Sequence, residues 1–227
     1  MRPKETLQCY WCGAPATSRE HVPPDSLFPP GKRTNLITVP ACAEHNQRFS
    51  QDDEKFRFYL QACSDSIDAL DLFDKKTMRG LERPEAARLV ADLFRGMQQI
   101  AVPGGVTALL QVDSTAQNRF FEKVTRGLHY HLFGRRIVGD VATFSPKFFN
   151  VSLDHKELAS RLLRHLHSPQ AIDGKVSHPE IFRFRYCSYR DGDREAFLVL
   201  MTFYNSVPVI GMCTNTEAVS QKLSLRL

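Results

Sequence analysis

The chain has 227 residues, 42% hydrophobic and 24% charged, a balance that excludes a disordered or fibrous protein and allows a sizeable buried core. Its 30 basic and 25 acidic residues leave a net charge of +5, which permits a polyanionic partner without demanding one. No apolar run approaches the roughly 20 residues that cross a bilayer, and Met1-Arg2-Pro3-Lys4-Glu5 lacks the apolar stretch of a secretory signal, so a cytoplasmic protein with no membrane association is expected.

In chain order, residues 1–60 read as a first unit. Its middle, from Val22-Pro23-Pro24 to Pro29-Pro30-Gly31, is rich in helix and strand breakers and predicts loop. Leu36-Ile37-Thr38-Val39 predicts a short strand that Pro40 stops. From Ala43 to about Leu60 there is neither Gly nor Pro, and Phe49, Phe56 and Tyr59 recur near the helical period, which predicts one helix. Ile67 to Phe73 predicts another, with Asp65 or Ser66 as cap. Pro84 suits the first turn of a helix with Leu89, Val90, Leu93, Phe94 and Met97 on its apolar face, ended by Val102-Pro103-Gly104-Gly105.

A longer helix is predicted over Thr115 to Phe133, with Ser114 or Thr115 as N-cap and Gly134 as its stop. Residues 154–167 form a further amphipathic stretch. After Pro179 the period changes to two: Ile181 to Tyr186 and Phe197 to Tyr204 predict a hairpin turning at Asp191-Gly192, with Val207-Pro208-Val209-Ile210 as a short third strand. No internal repeat or low-complexity segment is present.

The chemistry concentrates in the first unit. Cys9-x-x-Cys12 and Cys42-x-x-His45 form two pairs of soft or borderline ligands about 30 residues apart, the pattern of a structural zinc site that ties two segments together. In a reducing compartment such spacing points to metal rather than disulfides. Cys63, Cys187 and Cys213 have no paired spacing and read as buried small hydrophobes. Trp11, between the first two ligands, is expected to shield the metal. Between the pairs lies Glu20-His21, and Asn46 follows the last ligand. A neutral histidine can take a proton from water near neutral pH. Glu20 and Asn46 offer hard oxygen ligands of the kind that hold a catalytic Mg²⁺ beside a phosphodiester.

Cys9-x-x-Cys12, Arg19-Glu20-His21-Val22-x-Pro24 and Val39-Pro40-x-Cys42-x-x-His45-Asn46 together resemble a zinc-stapled HNH (ββα-metal, His-Me finger) endonuclease. The resemblance covers about the first quarter of the chain. It implies an α+β protein whose residues 1–60 form a zinc-bound ββα-metal module. The periodicity above makes residues 61–227 a mainly helical region and a C-terminal antiparallel β-hairpin or small sheet, expected to serve substrate binding, regulation or oligomerisation. The resemblance implies that His21 is the general base, that Glu20 and Asn46 hold Mg²⁺ or Mn²⁺, and that the substrate is nucleic acid, DNA in preference to RNA. A homodimer would be the simplest way to nick both strands. The rival expectation is a zinc-dependent nucleic-acid- or protein-binding module without catalysis.

The sequence departs from the family pattern at three points. His45 stands for the usual fourth cysteine, Glu20 for the usual Asp, and no second His or Lys occupies the customary positions after Asn46. Asp52, Asp53 and Glu54 are there instead; Asp53 or a neighbour can complete the ion site, the alternative being a solvated helix face. Lys32 and Arg33 beside the loop, Arg126 on the long helix, and Arg135 and Arg136 beyond it are candidate phosphate contacts, set against a solvated turn and an ordinary amphipathic helix.

Overall fold

In the computed structural model, residues 7–148, 153–191 and 194–214 are described. The chain opens with an antiparallel pair, β1 (Ser18–His21) and β2 (Thr38–Ala41), in which Glu20 lies opposite Val39 and Arg19 opposite Pro40. Strand β2 therefore starts later than expected and runs through Pro40 instead of stopping there. The ladder explains this, since Val22 N–H bonds Ile37 O and Thr17 N–H bonds Ala41 O, which leaves position 40 pointing away from β1. A proline there forfeits no ladder bond, and its carbonyl accepts from Tyr10 N–H at 2.9 Å.

The single helix expected after β2 is two, α1 (Ala43–Gln47) and α2 (Ser50–Ala62), with Phe49 outside helical geometry at the break. The next helix, α3 (Ile67–Leu72), continues through a π-helical turn at Phe73–Met78 into α4 (Arg79–Leu81). Pro84 opens a 3₁₀ turn that leads into α5 (Ala87–Leu93). Beyond it the sequence reading missed a hairpin: β3 (Gln98–Val102) and β4 (Gly105–Leu109) pair across Pro103-Gly104. Pro103 and Gly104 make the turn of a hairpin whose ten strand residues are all exposed, so no alternation between core and solvent betrays it.

Helix α6 (Ser114–Phe133) is the central element. Its N-cap is Asp113, whose Oδ1 accepts from Thr115 and Ala116 N–H at 3.0 and 3.1 Å, one position before the expected cap. Gly134, in the left-handed conformation at φ 68°, closes it. Then follow β5 (Val141–Phe144), α7 (Leu153–Leu166), β6 (Ile172–Asp173), β7 (Phe182–Asp191), β8 (Arg194–Phe203) and β9 (Val207–Cys213). The expected Asp191-Gly192 turn falls partly outside the described residues.

These last strands form one antiparallel sheet in the order β5-β9-β8-β7-β6, larger than the hairpin and third strand the sequence implied. Phe197, Val199, Met201 and Phe203, alternating along β8, are fully buried on the face that meets α6. Phe120 and Phe121 of α6 reach that face, and Phe120 also stacks on Phe56 of α2 with ring centroids 5.1 Å apart. One buried cluster thus runs from Val22 and Leu27 through α2 and α6 to the sheet. Among the described residues no helix is long and apolar enough to cross a membrane.

Candidate functional site

The loop carrying Cys9 and Cys12 folds back beside β2: Cys9 N–H bonds Ala14 O, Gly13 N–H bonds Cys9 O, and Tyr10 is tied to Pro40. Cys42 lies just before α1 and His45 within it, so one turn of helix brings the second pair onto the first. The ligand atoms of Cys9, Cys12, Cys42 and His45 all lie within 4.8 Å of one another, a Cys₃His group able to hold a metal ion. Cys12 Sγ is 3.8 Å from Cys42 Sγ, and Cys42 Sγ is 3.2 Å from His45 Nδ1. Burial raises the Cys9 thiol, but hydrogen bonds to it from the backbone at Cys12, Cys42 and Trp11 outweigh this and leave it below its ordinary pKa. Burial lowers that of His45, which favours the neutral imidazole a metal needs.

Trp11 covers this cluster. Its indole stacks on His45 at 5.5 Å, packs on Phe49 at 4.9 Å, and carries the Arg126 guanidinium over its face at 4.8 Å. Arg136 donates to Cys12 O at 2.7 Å. Of the other cysteines, Cys213 is buried, whereas Cys63 and Cys187 are only half-buried, contrary to expectation.

A cavity of about 340 Å³ opens beside the cluster, lined by Glu20, His21, Asn46 and Asp53 together with Arg19 and Arg57. The hairpin thus delivers Glu20 and His21, and α1 and α2 deliver Asn46 and Asp53, to one space. Asn46 Nδ2 donates to Ser18 Oγ at 3.0 Å, which orients the amide so that Oδ1 is left as acceptor.

Against the two carboxylates sits a residue of the long helix that was not among the candidates. Lys123 of α6 is 1% exposed, and its Nζ lies 2.9 Å from Glu20 Oε1 and 2.6 Å from Asp53 Oδ2. Glu20 is 6% exposed. The remaining oxygens, Glu20 Oε2 and Asp53 Oδ1, are buried and have no hydrogen-bond partner. Burial pushes both carboxyls above their ordinary pKa, although Lys123 pulls each back. Glu20 and Asp53, each with one oxygen that has no protein partner, and Asn46 line the same cavity, and carboxylate and amide oxygens are a donor set that fits a hard divalent cation.

The acidic run is not the solvated face considered above. Asp52 is buried in a bidentate pair with Arg119, at 2.7 and 2.9 Å, and Asp53 turns toward Lys123, while Glu54 stays exposed. The candidate phosphate contacts are all engaged within the protein. Lys32 bridges Asp68 and Glu180, both at 2.9 Å, and Arg33 bonds Phe28 O and Asp25. Arg126 is a correction: it is buried, and it holds Glu122 and the carbonyls of Ile137 and Gly139. Arg135 pairs with Glu195. The cations that do border the cavity are Arg19, exposed, and Arg57, whose buried Nε has no partner. Only its position one turn along from Asp53 hinted at Arg57; nothing in the sequence links Lys123 to Glu20.

Comparison with known proteins gives no match: no family model, no curated protein and no solved structure is significantly similar to this chain.

Proposed function

We propose that the chain is a metal-dependent endonuclease of the zinc-stapled HNH type, hydrolysing phosphodiester bonds in nucleic acid, DNA in preference to RNA. The observation that carries this reading is the single cavity lined by Glu20, His21, Asn46 and Asp53 beside a Cys₃His cluster. A tetrahedral zinc with Zn–S near 2.3 Å separates its sulfurs by about 3.8 Å, the Cys12–Cys42 distance found here. Cys9, Cys12, Cys42 and His45 would hold the zinc, which would staple the loop to α1 next to Asn46 of the cavity wall.

In the cavity, His21 takes the proton from the attacking water. Glu20 and Asn46, with Asp53, would hold Mg²⁺ or Mn²⁺, and such an ion would supply positive charge to offset the negative charge developing on the phosphodiester. Arg19 and Arg57 face the same space and offer cations to the phosphate.

Plasmid nicking with Mg²⁺ or Mn²⁺ tests the proposal. His21→Ala is expected to lower the rate by about 10²–10⁴-fold while zinc content and fold are retained. Equal nicking by wild type and variant would remove His21 from the reaction. Nucleic-acid binding without nicking by either would leave the non-catalytic zinc module as the better reading.

A further inference from the structure

We propose that Lys123 is a resident countercharge of the ion site, which holds Glu20 and Asp53 together and sets how tightly the site takes a divalent cation. The inference rests on the ion site proposed above and goes beyond it, because Lys123 belongs to α6, 70 residues along the chain from Asp53.

The geometry is a bridge. The Lys123 ammonium takes one oxygen from each carboxylate, Glu20 Oε1 at 2.9 Å and Asp53 Oδ2 at 2.6 Å, and is itself almost fully buried. Each carboxylate keeps its other oxygen, Glu20 Oε2 and Asp53 Oδ1, free of any protein partner. Two buried carboxylates side by side repel, and one ammonium between them removes half of that charge. The remaining single negative charge is shared by Glu20 and Asp53, which line a cavity with His21 and Asn46 and each keep one oxygen without a protein partner for a divalent ion.

The same ammonium must then repel the arriving ion. It bonds the two carboxylates that the ion would share, and so stays within several ångströms of an ion held by their other oxygens. At that range, in a partly desolvated site, the repulsion between a unit and a double charge is large compared with thermal energy. Lys123 therefore stabilises the acid pair before the ion binds and weakens the ion's hold afterwards. A residue that merely anchored α6 would do only the first.

The sign of one measurement separates these roles. Zinc-loaded full-length protein is titrated calorimetrically with MnCl₂ at pH 8. Lys123→Met is expected to tighten Mn²⁺ binding by about tenfold or more while lowering resistance to denaturant. Lys123→Arg, which keeps the charge, should stay within about threefold of wild type. If Lys123→Met does not fold, the same comparison is made in an Asp53→Asn background, where only one carboxylate is left without its countercharge. Removal of the lysine should again tighten binding. Unchanged or weaker binding on loss of the lysine overturns the role of Lys123 and leaves the ion site standing. Absence of Mn²⁺ binding by the wild type removes the ion site, and the role of Lys123 with it.

Discussion

The two polar clusters at the N-terminal end of this molecule are built on opposite plans. The Cys₃His group gathers soft ligands that share no ion pair, and an indole and an arginine close over it. The Glu20–Asp53 pair gathers hard ligands around a lysine that already half-neutralises them. On the proposed reading, the first is a staple whose metal would hold the loop. The second persists without one, because its countercharge is part of the chain. The difference separates the two roles proposed above: the Cys₃His group would set the shape once metal-bound, whereas the acid pair carries its countercharge within the chain.

The largest expected effect tests the staple. Cys42 contacts both Cys12 and His45, so Cys42→Ser should abolish stoichiometric zinc binding. Zinc binding at such sites is linked to folding free energy on the order of 10 kcal/mol. Residues 7–62 should then become sensitive to proteolysis, as chelation of the wild type should also make them. Retention of full zinc content by Cys42→Ser, or of protease resistance without metal, would erase the contrast between the two clusters.

Acid separates the two regions next. His129 of α6 is fully buried against Phe133 and Phe197, with Nδ1 3.0 Å from Arg135 O. Burial lowers its pKa from 6.5 to about 4, although the Arg135 carbonyl and Glu195 favour the charged form. A lowered histidine contributes stability that is present above pH 6.5 and is lost as the pH falls through 4. The shift corresponds to about 3 kcal/mol. Glu20 and Asp53 have raised pKa values, so their contribution runs the other way, present at acid pH and lost as the pH rises through their folded values. Denaturant unfolding between pH 7 and 4.5 should therefore show a loss that His129→Phe flattens. An equal slope in the variant would take His129 out of the acid response.

How much of this was legible in the sequence follows from how local each feature is. The Cys₃His cluster was, because its ligands come in pairs one helical turn or one tight loop long. The alternation of Phe197, Val199, Met201 and Phe203 was legible because one face of β8 is wholly buried and the other is not. The β3–β4 hairpin was not, since every strand residue is exposed and the pattern carries no phase. Nor was the Lys123 bridge. It depends on the angle at which α6 crosses β2 and α2, and tertiary packing sets that angle, not the local period. Arg126 and Arg135 misled for the same reason: clustered cations on a helix look solvent-facing until the carbonyls and carboxylate they bind are brought to them.

The smallest effect sharpens how α6 joins the two clusters. Gly127 sits one turn beyond Lys123 and faces Val22, the residue after His21. A Cβ at Gly127 would lie 2.5 Å from Val22 Cγ2 and 2.9 Å from Cγ1, closer than packed atoms approach. Val22 is 1% exposed and has no room to withdraw. Gly127→Ala should therefore cost about 1–3 kcal/mol by overpacking, less than loss of the staple. Because α6 must back away from the hairpin, the grip of Lys123 on Glu20 should loosen with it. Val22→Ala removes the two methyls that clash, so the double variant should be more stable than the sum of the single losses implies, by about 1 kcal/mol or more. Strict additivity in that cycle would mean that α6 does not bear on the hairpin at this point. The link between the helix and the acid pair would then have to run through Lys123 alone.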